Sequence, residues 1–235
     1  MDALPDNIID RVRELMPVGT LQMMSRSLTV AEARVIAERQ ANRLLKLLGI
    51  SKQAGEVEVE LVLMQPDIEV VAVPDLPVSA QTNWDRQCQQ WLIVMNQDDS
   101  LWRSRSTLAH ELKHILDDPF RELLYPEWPR DGQELPPPQA ERICDYFAGC
   151  LLVPRCRLLD AWQHGVREAA DLASLFNVSE ALLRVRLKQV GLGGRPVGEG
   201  FVGYSRRASR RHSPFVRRIA GRLAMSQARV PQLTT

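Results

Sequence analysis

SRSTLAHELKHILDD, residues 104–118, decides how this chain is read. Leu108, Leu112 and Ile115 recur at helical spacing, so the stretch is a helix with an apolar ladder, and Pro119 lies where the chain must leave it. His110 and His114 stand four apart and therefore share a face, with Glu111 beside them. Two imidazoles converging on one point with a carboxylate at hand suit a zinc ion (Zn2+) that keeps one position for water, whose proton Glu111 can take. The plain alternative is a solvated helix face. Against it, the chain holds four histidines and two of them fall here. Lys113, inside the motif, reads as a solvent-facing residue.

A third donor is needed, and ERICD, 141–145, supplies the best one. Residues 139–153 read as a helix whose core line is Ala140, Cys144, Phe147 and Leu151, with Pro154 near its end. Glu141 and Asp145 stand four apart on the other face. Glu141 can complete the site, and Asp145 can accept the distal N–H of a ligand histidine, fixing its tautomer. An exposed acidic face is the competing reading. Cys88, Cys144, Cys150 and Cys156 form no CxxC pair and no disulfide framework, and Cys144 reads as a small buried hydrophobe rather than a thiolate ligand. Hydrolysis would also call for a donor to the developing oxyanion, with Tyr125, Tyr146 and His164 as unranked candidates.

Around these two helices the chain alternates element types. TVAE, 29–32, is a capping box that opens a helix with Ala33, Ala37, Ala41, Leu44 and Leu48 on one face, stopped at Gly49. EVEVELVLM, 56–64, alternates acidic and apolar residues as a half-exposed strand does, IEVVAV, 68–73, reads as a second strand, and WLIVMN, 91–96, as a buried third. Residues 125–138, rich in proline, imply an extended connection. Residues 155–164 form a short helix, and 166–190 two amphipathic stretches split at Asn177, the second capped by Ser179. The expected organisation is an N-terminal extension over 1–28, a core over 29–153, a helical, helix-turn-helix-like support over 154–192, and a basic linker and tail over 193–235 with a short helix near 214–225.

With 235 residues, 45% hydrophobic and 25% charged, the chain can bury a core, and wholesale disorder or a fibrous class is excluded. The net charge of +1 hides an asymmetry: residues 201–235 hold eight arginines and no acidic residue, so the body is acidic. Attraction to phosphate should sit mainly in the tail, at Arg206, Arg207, Arg210 and Arg211. No apolar run reaches the roughly 18 residues of a membrane span and the N-terminus lacks a secretory pattern, so a cytoplasmic protein with no membrane partner is expected.

Taken together, WLIVMN leading into STLAHELKHIL, then ERICDYFAGCLLVP, then DLASLFNVSEALLRVRLKQVGL, resemble the ImmA/IrrE family of zinc metallopeptidases over about residues 29–192. The resemblance implies an α+β, zincin-like core with His110, His114 and Glu141 as zinc ligands, Glu111 as catalytic base and Asp145 in support. It also implies a protein substrate, a helix-turn-helix repressor. Lys113 departs from the glycine common at that position in the family. A different class is also open: residues 171–187 have the spacing of a DNA-reading helix-turn-helix, with Arg184 and Arg186 as contacts, in a regulator that binds DNA or a repressor with little or no peptidase activity.

Overall fold

The computed structural model describes residues 7–24, 26–50, 55–126 and 137–193. Helices α1 (Ile8–Arg13), α2 (Val18–Met23) and α3 (Val30–Leu47) come first, followed by a 3-10 turn (Val59–Met64). Strands β1 (Ile68–Val73), β2 (Ala80–Asp85) and β3 (Gln90–Asn96) then precede α4 (Leu101–Asp117), a single 3-10 turn (Asp118–Phe120) and α5 (Arg121–Leu124). Helices α6 (Pro138–Leu152), α7 (Arg155–Gln163), α8 (Ala169–Phe176) and α9 (Glu180–Val190) complete the chain's described part.

The sheet has the order β1-β3-β2, with β1 parallel and β2 antiparallel to β3. Ile68 and Val70 of β1 and Trp91, Ile93 and Met95 of β3 alternate onto one buried face, as a period of two requires. Helix α4 covers the sheet, α6 packs on α4, and α3 packs on α6. This is the zincin-like α+β arrangement expected from the sequence, with candidate metal donors on α4 and on the separate helix α6. No helix among the described residues is long and apolar enough to cross a membrane.

Local chemistry accounts for the helix ends. The Thr29–Glu32 capping box opens α3 as its sequence predicts. Ser179 accepts from the Leu182 N–H and caps α9, while Asn177, at φ 51°, makes the left-handed turn between α8 and α9.

Three elements differ from the sequence reading. Residues 56–64 do not pair as a strand: Val57, Val59 and Val62 are buried, and Glu60 turns inward to Arg105. The fully buried Arg105 guanidinium lies 2.5 Å from Glu60 and 2.7 Å from Glu56, and donates to the Val57 carbonyl at 2.7 Å. A flat strand with its acids facing water cannot deliver Glu60 to that cation. Strand β2 was not foreseen, because AQTNWD lacks an apolar alternation. The segment read as an N-terminal extension forms α1 and α2, which place Ile8, Ile9 and Val12 in the common core. The Arg13 guanidinium donates to the Ile115 carbonyl at 2.7 Å and ties α1 to the end of α4.

Candidate metal centre

Helix α4 is covered by the sheet on one side and by α1 and α6 on others, so Arg105, Leu108, Leu112, Lys113, Ile115 and Asp117 are all buried. What stays open is a stripe carrying Arg103, Thr107, His110 and Glu111. Lys113 therefore does not face solvent. It is 1% exposed, its ammonium pairs with Asp117 one turn on, and Asp117 also accepts from the Tyr125 hydroxyl at 3.0 Å.

The two imidazoles point their Nε2 atoms at each other across 3.2 Å. From α6, Glu141 brings one oxygen to 3.4 Å from His110 Nε2 and the other to 3.2 Å from His114 Nε2. Asp145 lies 2.9 Å from His110 Nδ1, on the far side of that ring. Tetrahedral ligands about 2.0–2.1 Å from an ion stand roughly 3.3 Å apart, so these three donors already have the mutual spacing such an ion needs. The chemistry of the set, two imidazoles and a carboxylate, also fits zinc.

Electrostatics agree with the geometry. Burial lowers the His110 pKa, but hydrogen bonds to Asp145 and Glu141 and the Glu111 charge outweigh it and push it up to about 9. The two histidines hold the Glu141 carboxyl well below the usual carboxylate range.

Cys144 comes closer to this centre than its sequence suggested. His110, His114 and Cys144 form a cluster whose donor atoms lie within 4.8 Å of one another and which can coordinate a metal ion. The Cys144 sulfur, however, lies 3.6 Å from His114 Nδ1, whereas Nε2 of the same ring faces Glu141. Burial pushes the Cys144 thiol well above its ordinary value, which disfavours the thiolate that ligation requires. Nearness to His114 is thus compatible with Cys144 backing the ring rather than binding an ion. Cys150 is likewise buried, and its thiol is pushed up to about 11.

The centre opens into a cleft of about 580 Å³. Ser79 and Ala80 at the start of β2 line one side, and Leu182, Val185 and Gln189 of α9 the other, with Ala148 and Gly149 of α6 between. Thr82 of β2 donates to Glu111 Oε2 at 2.6 Å, a contact that neither residue's sequence neighbourhood announces.

Of the other expected site residues, Arg186 lines the cleft, whereas Tyr125, Tyr146, His164 and Arg184 do not. Tyr125 is buried on Asp117, and burial together with that carboxylate holds its hydroxyl protonated far above the ordinary range. Tyr146 donates to Glu38 at 3.2 Å and is covered by the Arg34 and Arg186 guanidiniums, with its hydroxyl pushed up to about 12 by burial. His164 closes α7, its Nδ1 2.8 Å from the Asp160 carbonyl. Arg186 is 2% exposed and donates to the Val153 carbonyl, Glu38 and Gln189, while exposed Arg184 pairs with Glu180. Arg206, Arg207, Arg210, Arg211 and the helix expected near 214–225 lie outside the described residues.

Comparison with known proteins places these features in context. A family model described as the IrrE N-terminal-like domain, Peptidase_M78, matches residues 65–188. Among solved structures, a Mycobacterium tuberculosis transcriptional regulator superposes with a TM-score of 0.48 at 17% identity, covering 78% of this chain and 52% of that one. The chain thus spans about half the length of that protein. No curated protein sequence matches.

Proposed function

Because the chain belongs to the IrrE N-terminal-like family of M78 peptidases, we propose that it is a zinc-dependent endopeptidase whose substrate is a helix-turn-helix transcriptional repressor. The observation that carries hydrolysis is the convergence of His110, His114 and Glu141 from two helices beside a further carboxylate, Glu111, which lines the same cleft. The substrate class comes from the family.

In this reading His110, His114 and Glu141 would hold the ion, which when bound would supply Lewis acidity and an acidified water. Asp145 accepts from His110 Nδ1 and so presents Nε2 as the ligating nitrogen. Glu111 takes the proton of the attacking water and returns it to the departing amide nitrogen. An extended substrate would add to β2, which lies at an edge of the sheet among the described residues, with its side chains against Leu182 and Val185 of α9.

The competing DNA-reading assignment of α8 and α9 loses support from Arg186, which is spent on interior partners, and from the face of α9 turned to the cleft. Phosphate contact through the arginine-rich tail remains part of the proposal, and deleting 201–235 should lower salt-sensitive DNA binding without changing zinc content. The peptidase reading is tested by metal analysis of wild type and Glu111→Gln together with cleavage assays on repressors. Equal zinc with cleavage confined to wild type supports it; a repressor bound by both and cut by neither would favour a binding protein without turnover.

A further inference from the structure

The register of β2 on β3 sets Ala80, Thr82 and Trp84 opposite Met95, Ile93 and Trp91. Of these six residues, which share the helix-facing side of the sheet, Thr82 alone carries a hydroxyl. A valine has the same shape and suits a strand as well, and a hydroxyl turned inward costs desolvation unless it is bonded. Its partner is Glu111 Oε2, at 2.6 Å, 29 residues away in sequence.

A glutamate on an open helix stripe has several rotamers to sample, and a catalytic base is effective only in the geometry that meets its proton. The β-branched threonine has a restricted χ1 and stands on a strand hydrogen-bonded to β3. We propose that Thr82 is a positioning residue for Glu111: its hydroxyl fixes Oε2 to the sheet and leaves Oε1 as the oxygen that accepts the proton. The proposal rests on the peptidase reading. It also joins two roles in one strand, since β2, which is at an edge of the sheet among the described residues, would receive an extended peptide and at the same time orient the base.

The test compares Thr82→Val, which keeps shape and removes the hydroxyl, with Thr82→Ser, which keeps the hydroxyl, each in the full-length zinc-loaded protein and in the Glu111→Gln background. The readout is the affinity for acetohydroxamate, whose hydroxyl proton must be taken by a correctly placed base, measured by calorimetry beside the zinc content. Thr82→Val should weaken binding about tenfold at unchanged zinc. Thr82→Ser should stay close to wild type, and in the Glu111→Gln background Thr82→Val should have no further effect. Unchanged affinity in Thr82→Val, an equal loss in Thr82→Ser, or a full loss on top of Glu111→Gln would each overturn the positioning role while leaving the peptidase reading standing. Zinc-loaded wild type that fails to bind acetohydroxamate would overturn both.

Discussion

Lys113 and Asp117 are one helical turn apart and both are buried, with the Tyr125 hydroxyl completing the group. Removing one member of such a pair strands the other charge in the interior. Asp117→Asn should therefore cost about 3–5 kcal/mol in chemical denaturation, and the joint Lys113→Met, Asp117→Leu change should recover most of it. The four-residue spacing was readable in the sequence, but the burial was not: an apolar ladder shows which side of a helix is covered and says nothing of how many neighbours cover the others. His110 gives a second prediction at this scale. With its pKa raised to about 9, its share of stability in the metal-free chain is complete below the ordinary imidazole value of about 6.5 and lost as pH rises through 9. The melting temperature of chelator-treated protein should fall by ~5 °C between pH 7 and 9.5, and this fall should be absent in His110→Gln. Glu141 works in the opposite sense, its contribution being lost on acidification below the ordinary carboxylate range.

Among the elements, the helices were the most legible, because capping residues and the 3.6-residue period are local signals. Thr29 and Glu32, Ser179 and Asn177 each act where the sequence put them. The stretch 56–64 misled because its early alternation of valine and glutamate is compatible with a strand until Arg105, more than forty residues on, claims Glu60. That cation is therefore the anchor of the 3-10 turn: Arg105→Met should destabilise the fold by about 3–5 kcal/mol, leaving Glu60 buried without its partner, as read by urea denaturation. Strand β2 escaped notice for a related reason. Its inner positions, Ala80, Thr82 and Trp84, are small, polar and aromatic rather than an aliphatic alternation, so Thr82 was invisible as a site residue until the register placed it over Glu111. Both histidines, Glu141 and Asp145 were legible because their pairs lie on helices, where four residues return to one face.

The core runs through the whole described chain rather than stopping at the boundaries of the motif-bearing segment. Ile8, Ile9, Val12 and Leu21 are buried with residues of α3 and α4. Each such side chain contributes about 1.5–3 kcal/mol on burial, so losing all four approaches the entire ~5–15 kcal/mol stability of a typical domain. A chain lacking residues 1–28 should accordingly show no cooperative unfolding transition by circular dichroism, although every proposed ligand is retained. The inward faces of α4 and α6 are packed by Leu108, Leu112, Phe147 and Leu151, and the nitrogen and oxygen donors stand on the opposite sides. The scaffold thus draws its packing from elsewhere, and on the proposed reading a chelator should silence cleavage while leaving the polypeptide folded, with resupplied metal reviving it.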